Sequence, residues 1–364
     1  MNQQNSSIAE KTILLGLTEE EMCAFALTLG MPKFVGKQLH NWIYQHRVVS
    51  FSEMKNISEA NRRKLDEVAI VGLHAPEVSQ RSKDGTVKYL YRTLRGNYVE
   101  TVYIPTSERA TLCVSCQVGC KMNCQFCMTG RQTWNESLTT ADILNQIFAL
   151  PEYDNLSNLV FMGQGEPFDN TDHILKSLHI LTDPKEMAWS PKRITVSTVG
   201  ILPGLQRFLN ESRCHLAISL HNPFPDERKD IMPIEKAYSI TQVISLLHQY
   251  DFCLKTPHSE EATKQRRLSF EYIMFRDQND SLQHANAIVE LVKGLDCRVN
   301  LIRFHEIPDS PFHGTDLTKM EHFRDYLTHH GVFTTIRASR GEDILAACGM
   351  LSTKEQQRQA GANQ

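Results

Sequence analysis

The chain has 364 residues, enough for about two domains and for a hydrophobic core that needs no disulfide bonds. Hydrophobic residues make up 41% and charged residues 22%, which argues against wholesale disorder. The net charge of −3 excludes a protein that binds nucleic acid over its whole surface, but it allows a local basic patch. No apolar run is long enough to span a membrane, and the polar N-terminus lacks the apolar segment of a signal peptide. We therefore expect a cytoplasmic protein without a membrane anchor.

Helical patterns dominate residues 1–85, for which we expect a small helical accessory domain. Thr18 stands before three consecutive glutamates, which predicts a capped helix start. The helical pattern continues over residues 36–46 and 59–69.

Residues 86–105 alternate around a central Gly-Asn step, which predicts a β-hairpin that leads into a core at 106–341. In the core, short β-branched runs alternate with helical stretches, as in βαβ units with a parallel sheet. Six or seven such units predict an open or closed α/β barrel with functional residues at the carboxyl ends of its strands. The expected strands are 110–114, 158–162, 193–197, 215–220, 268–275 and 298–305, with 333–339 as a seventh. The expected helices include 139–149, 239–250, 282–295 and 318–330. A C-terminal segment, 342–364, ends in a polar tail.

Five of the ten cysteines lie within fifteen residues, which in a reducing compartment indicates metal binding or catalysis rather than disulfides. Cys120, Cys124 and Cys127 have a C-x3-C-x2-C spacing, so that one loop can offer three thiolates. Three such ligands can bind three irons of a four-iron cluster and leave the fourth iron open for a substrate or cofactor. A zinc site is the alternative, with Cys113 or Cys116 as the fourth ligand.

Several segments together resemble a known family. The C-x3-C-x2-C loop, with Phe126 before its last cysteine, is similar to that of the radical S-adenosylmethionine (radical SAM) superfamily. The sequence MGQGEP resembles the GxGEP motif of that superfamily. Other segments that resemble family motifs are 195–198, 217–221, 340–344 and 346–349. The combination resembles the RlmN/Cfr family of RNA adenine methyltransferases over roughly residues 15 to 350. It implies an α/β fold, a partial (β/α)6-type radical SAM barrel with a small helical N-terminal accessory domain and a β-hairpin connection.

The resemblance also implies the cofactors, a [4Fe-4S] cluster on Cys120, Cys124 and Cys127 and two molecules of SAM per turnover. It assigns SAM-binding roles to residues at the ends of successive strands, namely Gly165, Glu166, Ser197, Ser219, Leu220, His221 and His305. The residues by themselves leave simpler alternatives open. These are a plain βα turn around Glu166, helix capping by the serines, and loop stabilisation by His221.

The family uses two further cysteines, because an adenine ring carbon is not nucleophilic enough to take a methyl group directly from SAM. The resemblance assigns Cys348 as the cysteine that carries the methyl group, and Cys113 as the resolving cysteine that forms a transient disulfide with it. Cys116 stands where the family usually has serine, and it is a packing residue, a competitor of Cys113 or an adventitious metal ligand. Glu100, on the same strand face as Val102, is assigned as the proton acceptor. By itself it is equally compatible with an edge-strand carboxylate in solvent.

A basic stretch between residues 31 and 64 predicts an RNA contact in the accessory domain, where the resemblance also implies one. It holds two acidic and seven basic side chains, the latter being Lys33, Lys37, Arg47, Lys55, Arg62, Arg63 and Lys64. Trp42 and Tyr44 either stack on unpaired bases or pack inside the domain. A second basic cluster precedes the fifth expected strand and consists of Lys264, Arg266 and Arg267.

The resemblance predicts a radical SAM methyltransferase that adds a methyl group to C2 of adenine. The predicted substrates are 23S rRNA, at the peptidyl-transferase centre, and tRNA, at the adenosine 3′ of the anticodon. We expect a monomer that takes its electrons from flavodoxin or ferredoxin. Two alternatives stay open, namely methylation at C8 of the rRNA adenine, as in the Cfr branch, and a noncatalytic RNA-binding protein stabilised by a metal.

Overall fold

A computed structural model describes residues 11–257 and 266–351 of the chain. The predictions for Lys264 and for the polar tail from residue 352 onward fall outside the described residues. Within the described ranges, no helix is both long enough and apolar enough to cross a membrane.

The N-terminal region is helical, as the sequence pattern predicts. Its first helix begins at Thr18, whose hydroxyl accepts a hydrogen bond from the Glu21 backbone N–H while the Glu21 carboxylate accepts one from the Thr18 N–H. The helices are α1 (Glu19–Thr28), α2 (Lys33–His40), which continues as a π-helical turn over Asn41–Gln45, and α3 (Glu59–Val68). Two short strands, β1 (Thr12–Ile13) and β2 (Ala69–Ile70), pair in parallel and join the two ends of this region.

The predicted hairpin is confirmed, and a third antiparallel strand extends it. The three strands are β3 (Val78–Arg81), β4 (Val87–Arg92) and β5 (Tyr98–Pro105). The sequence pattern does not predict β3, because none of its side chains is buried and it therefore shows no hydrophobic alternation.

Seven parallel strands follow at the positions expected for the barrel, and helices connect most of them. These parallel strands are β6 (Ala110–Cys113), β9 (Asn158–Phe161), β10 (Ile194–Thr198), β11 (His215–Ser219), β12 (Leu268–Met274), β13 (Cys297–Arg303) and β14 (Phe333–Arg337). Between β6 and β9 the chain forms a separate antiparallel ribbon of β7 (Gln117–Val118) and β8 (Glu136–Ser137). The helices are α4 (Thr140–Phe148), α5 (Thr171–Thr182), α6 (Leu202–Glu211), α7 (Pro225–Ile231), α8 (Ile240–Leu247), α9 (Leu282–Leu291) and α10 (Leu317–His329).

In the described residues, the main sheet runs in the order β14-β13-β12-β11-β10-β9-β6-β5-β4-β3. Its strands from β14 to β6 are all parallel, and β14 does not pair with β3, so the barrel is open. The predicted α/β barrel is thereby confirmed. Because the strands are parallel, their carboxyl ends meet at one edge of the sheet, and the loops with the candidate site residues lie there.

One hydrophobic core runs through the accessory helices and the barrel. Tyr44 belongs to it. The side chain is 1% exposed, its hydroxyl donates to the Leu17 carbonyl and accepts from the Gly16 N–H, and its ring meets Phe148 of α4 edge-on. Tyr44 is therefore a packing residue, and the alternative of base stacking is wrong for it. Trp42 is only partly buried.

The fold separates the two described members of the second basic cluster. The Arg266 guanidinium donates hydrogen bonds to the backbone carbonyls of Phe208, Leu209 and Cys214. Arg266 therefore joins α6 to the sheet, and the prediction that it contacts RNA is wrong. Arg267, the next residue, is exposed.

Candidate active site

The loop after β7 carries the three cysteines of the predicted cluster site. Cys124 is 7% exposed, and its thiol pKa is raised well above the usual range, first by burial and then by the charges of Cys127 and Cys120. The sulfurs thus lie near one another in surroundings that disfavour free thiolates, and a bound cation would hold them ionised. Backbone groups of Thr129 and Gly130 hydrogen-bond to the Cys127 sulfur.

The donor set of this loop fits an iron–sulfur cluster. Cys120, Cys124 and Cys127 supply three thiolates, which can bind three irons and leave a fourth iron open. Tetrahedral zinc would require a fourth ligand in addition to these three.

The segment that carries Cys348 is anchored on one side by the turn between β3 and β4. The Ser82 hydroxyl donates to Asp343 Oδ1 at 2.5 Å, and the Gly341 N–H donates to Asp84 Oδ2 at 3.0 Å. These bonds join positions 261 and 257 residues apart in the chain. The antiparallel extension of the barrel therefore holds the segment that follows the last barrel strand.

The cysteine loop anchors the same segment on its other side. The Met128 N–H donates to the Gly349 carbonyl at 2.8 Å, and the Thr129 hydroxyl donates to the Leu351 carbonyl at 3.0 Å. Cys348 itself is exposed and is adjacent in sequence to the first of these contacts. The predicted methyl carrier is thereby fixed next to the predicted cluster loop.

Cys348, Cys113 and Cys127 line one cavity of about 650 Å³ inside the barrel. Cys113 is the last residue of β6, and the pKa of its thiol is raised to about 12, first by burial and second by the charge of Cys348. The structure therefore brings the two thiols assigned as methyl carrier and resolving partner into one space.

The atypical Cys116 does not share this space. It is 2% exposed, packs in the hydrophobic core, and does not line the cavity. Its backbone carbonyl accepts hydrogen bonds from Leu138 and Asn170. Of the three interpretations of Cys116, this position favours packing.

Arg337 and Glu271 form a charged wall of the cavity, and the sequence analysis missed both. Arg337 Nη1 lies 3.2 Å from Glu271 Oε2, and Asn300 Nδ2 donates to Glu271 Oε1 at 2.7 Å. The pKa of Arg337 is raised, with the charge of Cys348 as the largest cause and that of Cys113 as a further one, so the guanidinium lies near both thiols. The sequence did contain a signal for them, since β12 and β14 each carry one charged residue in a run that otherwise predicts a buried strand.

Glu100 is fully buried on β5, an interior strand of the sheet. The alternative of an edge carboxylate in solvent is therefore wrong. Lys88 Nζ lies 3.3 Å from Glu100 Oε1 and 3.5 Å from the Leu345 carbonyl, which belongs to the segment that carries Cys348. Val102, two residues further on the same face of β5, packs against that segment. Glu100 thus lies on the strand face that meets the Cys348 segment, with a compensating lysine beside it.

Glu166 joins the loop after β9 to the end of β10. Its carboxylate accepts hydrogen bonds from the Thr198 hydroxyl at 2.6 Å and from the Val199 N–H at 3.0 Å. Burial raises its pKa to about 7. Gly165 before it has a φ of +96°, and a Cβ there would stand 2.5 Å from the Gln117 Cβ, so the loop requires glycine at this position.

Arg228 of α7 ties together the ends of β10 and β11. It is 0% exposed and donates to the carbonyls of Val199 at 3.0 Å, Ser219 at 2.9 Å and Leu220 at 3.0 Å. It also forms a buried ion pair with Glu235. Two of the predicted SAM-binding positions are therefore held by one guanidinium, which the sequence analysis did not identify.

Ser197 and Ser219 are half-buried near the carboxyl ends of their strands. Strand alternation places Ser197 on the same face as Thr195, and Ser219 on the same face as His215. Thr195 and His215 line the cavity, so both serines lie on the inner face of the barrel.

The two predicted histidines have different surroundings. The His221 ring lies 4.8 Å from the Phe126 ring, and its Nδ1 accepts the Ile273 N–H at 3.0 Å. Burial lowers its pKa to about 3, so His221 is neutral and stabilises its loop. His305 lines the cavity, with Nε2 at 2.7 Å from the Ser339 hydroxyl oxygen.

Of the predicted site residues, four line the cavity, namely Cys113, Cys127, Cys348 and His305. The others stand outside its lining. They are Glu100 on β5, Cys120 and Cys124 in the cysteine loop, and Gly165, Glu166, Ser197, Ser219, Leu220 and His221 at strand ends and in the loops that follow.

Two protein families match parts of the chain. Residues 12–71 match the ribosomal RNA large subunit methyltransferase N-terminal domain, and residues 114–256 match the radical SAM superfamily.

Relatives match almost the whole chain. It is 58% identical to the probable dual-specificity RNA methyltransferase RlmN of Phocaeicola vulgatus, over 96% of this chain and 98% of the relative. It is 57% identical to the protein of the same description from Bacteroides fragilis, over 94% of this chain and 97% of the relative. A solved structure of a radical SAM methyltransferase from Sphaerobacter thermophilus matches with a TM-score of 0.86 and 33% identity, over 94% of this chain and 100% of that one. At this identity and coverage, the chain belongs to the RlmN family of radical SAM methyltransferases.

Proposed function

We propose that the chain methylates C2 of adenine in 23S rRNA and in tRNA, with Cys348 as the methyl carrier and Cys113 as the resolving cysteine. One observation carries the proposal. Both thiols line the same cavity as Cys127 of the cysteine loop. A methyl group on Cys348 would thus share one cavity with the cluster site and with the thiol that releases the product. The dual-specificity RNA methyltransferases among the relatives support the choice of RNA as substrate.

Cys120, Cys124 and Cys127 would hold the [4Fe-4S] cluster, and SAM would bind at the strand ends around Glu166 and Ser219. When bound, the cluster and SAM supply a radical that removes hydrogen from the S-methyl group of Cys348. The buried Glu166 carboxylate accepts two hydrogen bonds at Oε1, from Thr198 and Phe168, and one at Oε2, from Val199. Oε2 therefore retains a lone pair for an ammonium group. We propose two SAM molecules per turnover, since one methylates Cys348 and the other serves the radical step.

Cys348 acts first, as a nucleophile. Its thiolate takes the methyl group of one SAM by displacement, and S-adenosylhomocysteine leaves. An S-methyl group has no charge, so methylation removes the second cause of the raised Cys113 pKa, whereas burial continues to raise it.

Glu100 and Cys113 act after the former methyl carbon has joined the adenine ring. The adduct also loses one electron, for which the oxidised cluster would be the acceptor, and Glu100 accepts the proton that the ring carbon loses. Lys88 compensates the charge of this carboxylate before the transfer. The Cys113 thiolate then attacks the Cys348 sulfur. The sulfur–sulfur bond forms, the carbon–sulfur bond breaks, and its electron pair stays with the carbon, which gains a proton and becomes the methyl group.

The regenerating steps complete the proposal. A transient disulfide between Cys113 and Cys348 must be reduced after each turnover, which suits the thiol-rich cytoplasm. We propose that the protein acts there as a monomer. We propose flavodoxin or ferredoxin as the electron donor for the cluster.

Mass spectrometry of nucleosides tests the function directly. RNA from a strain that lacks this protein should lose 2-methyladenosine from both 23S rRNA and tRNA, and the gene supplied on a plasmid should restore it. Loss of 8-methyladenosine instead would assign the C8 reaction. Unchanged nucleosides, with zinc as the bound metal, would support the noncatalytic alternative.

A further inference from the structure

We propose that the RNA strand docks at the amino-terminal mouth of the barrel, where exposed cations bind its phosphates, and that the target base reaches Cys348 through the barrel. The inference rests on the proposed function and specifies where its substrate binds.

Four cations stand at the amino-terminal ends of four barrel strands. Arg109 precedes β6, Lys192 precedes β10, Arg267 precedes β12, and Arg298 is the second residue of β13. Because these strands are parallel, all four lie at the edge opposite the cysteine loop. All four are exposed, and all four line the cavity that contains Cys113 and Cys348. We call this set the basic mouth.

Among the described residues, the cations of the basic mouth have no acidic partner, since none of the four side chains forms an ion pair there. Basic residues of the accessory helices have local acceptors instead, such as Glu59 for Arg63 and the Leu29 carbonyl for Lys64. The pKa of His215 is lowered to about 4, first by burial and then by the charges of neighbouring arginines that include Arg267, which indicates a positive potential at this end of the barrel. A concave surface with such a potential attracts anions.

The mouth is too wide for a single phosphate. From β6 to β13 the sheet makes five strand-to-strand steps of about 4.8 Å, so the cations are spread over an arc of about 24 Å. An arc of that length matches several successive phosphates of one strand rather than a small anion. This spacing is the reason for choosing RNA over a free nucleotide as the occupant.

Three strands line the path from the mouth into the barrel. Residues two apart on a strand share a face, and here each such series begins with a cation and lines the cavity. The series are Arg109–Thr111–Cys113 on β6, Arg267–Ser269–Glu271 on β12, and Arg298–Asn300–Ile302 on β13. Arg109 and Cys113 are four residues apart, about 13 Å along the strand.

The interior of the barrel presents polar groups beside apolar side chains such as Leu159 and Leu216, a mixture that suits a base. A closed barrel is filled with branched apolar side chains, whereas this cavity is lined midway by Thr111, Ser269 and Asn300. The carboxyl-terminal end of the barrel is covered by the cysteine loop and the Cys348 segment, which are joined there by the hydrogen bond from the Met128 N–H to the Gly349 carbonyl. Access for a large anionic substrate is therefore favoured from the basic mouth.

RNA binding tests the proposal. The variant is Arg109→Gln/Arg267→Gln/Arg298→Gln, and the probe is a fluorescein-labelled RNA hairpin with an adenosine in its loop. We expect the Kd to rise by about tenfold or more, and the slope of log K against log salt to flatten by about 2, since each lost phosphate contact contributes about 0.7 for single strands. An unchanged Kd and slope would overturn the proposal.

A control variant removes the same charge elsewhere. Arg207 on α6 and Lys293 just after α9 are exposed, Arg324 on α10 is half-buried, and each lies beside an acidic partner. Their replacement by Gln should leave Kd and slope unchanged. An equal loss in the control would show that only net charge matters and would also overturn the proposal. Iron content and deoxyadenosine formation without RNA should be normal in both variants. If the triple variant loses iron, Arg267→Glu alone provides the same comparison.

A blocked path distinguishes docking from passage. Ser269→Phe, midway along β12, should keep the RNA Kd and the methylation of Cys348 but lose methyl transfer to RNA. Full transfer by this variant would show that the base enters elsewhere. If the wild-type protein methylates no RNA at all, the proposed function fails, and the Kd comparison still decides whether the mouth binds RNA.

Discussion

Arg228 gives the sharpest test of how the strand ends that we propose to bind SAM are held. Replacement by leucine removes three hydrogen bonds, to the carbonyls of Val199, Ser219 and Leu220, together with the ion pair to Glu235. Removal of one partner of a buried pair costs about 3–5 kcal/mol, because the other charge stays in a dry site. Glu235 keeps hydrogen bonds from the Ile240 N–H at 3.1 and 3.0 Å, which places the expected loss near the middle of this range, at about 4 kcal/mol.

The assay is urea unfolding of the anaerobically purified protein, with a parallel measurement of SAM affinity. Arg228→Leu leaves the buried Glu235 carboxylate without its cationic partner. The double variant Arg228→Leu/Glu235→Gln should therefore be more stable than Arg228→Leu by about 1–2 kcal/mol. Both variants should bind SAM more weakly, since the ends of β10 and β11 lose their common anchor. The reasoning is refuted if Arg228→Leu stays within about 1 kcal/mol of wild type, or if the double variant is no more stable than the single one.

Three further predictions concern the thiols and the proton acceptor. Lys88→Met removes the cationic neighbour of Glu100, so release of the RNA adduct should slow by about tenfold or more while methylation of Cys348 continues; quench-flow analysis checks this, and normal release would contradict it. Burial continues to raise the Cys113 pKa when Cys348 carries the adduct, so this thiol stays protonated near neutral pH and the release rate should rise about tenfold per pH unit through the neutral and mildly alkaline range; a flat profile would exclude thiolate attack as the slow step. Cys116→Ser should retain iron content and turnover, because Cys116 packs away from the cavity, and loss of either would assign it a functional role.

The strands of the barrel could be predicted from the sequence to within about two residues. The run 158–162, for example, forms β9 over Asn158–Phe161, and 215–220 forms β11 over His215–Ser219. Parallel strands are buried on both faces, so their apolar runs stand out between helical stretches. The strand β3 could not be found in this way, because its side chains face solvent or are only half-buried and leave no period to detect.

The site was predicted residue by residue from motifs, but its supporting contacts were not. Asp343 meets Ser82 across 261 residues, and Arg337 meets Glu271 from another strand, so neither contact is local enough to appear as a pattern. Tyr44 and Arg266 were interpreted wrongly because their contacts, too, cannot be seen in the sequence. Their aromatic and basic character suggested RNA contacts, whereas burial and backbone hydrogen bonds make them structural.

The central claim is that Cys113 releases a base that is bound covalently to Cys348. The direct measurement is a denaturing gel of Cys113→Ala purified from cells, followed by nuclease digestion and mass spectrometry. We expect a protein–RNA crosslink that survives denaturation and disappears when Cys348 is also replaced by alanine. Cys116→Ala, the matched control, should carry no crosslink. Free Cys113→Ala protein with ordinary turnover would contradict the two-thiol mechanism, and a crosslink in Cys116→Ala instead would assign the resolving role to Cys116.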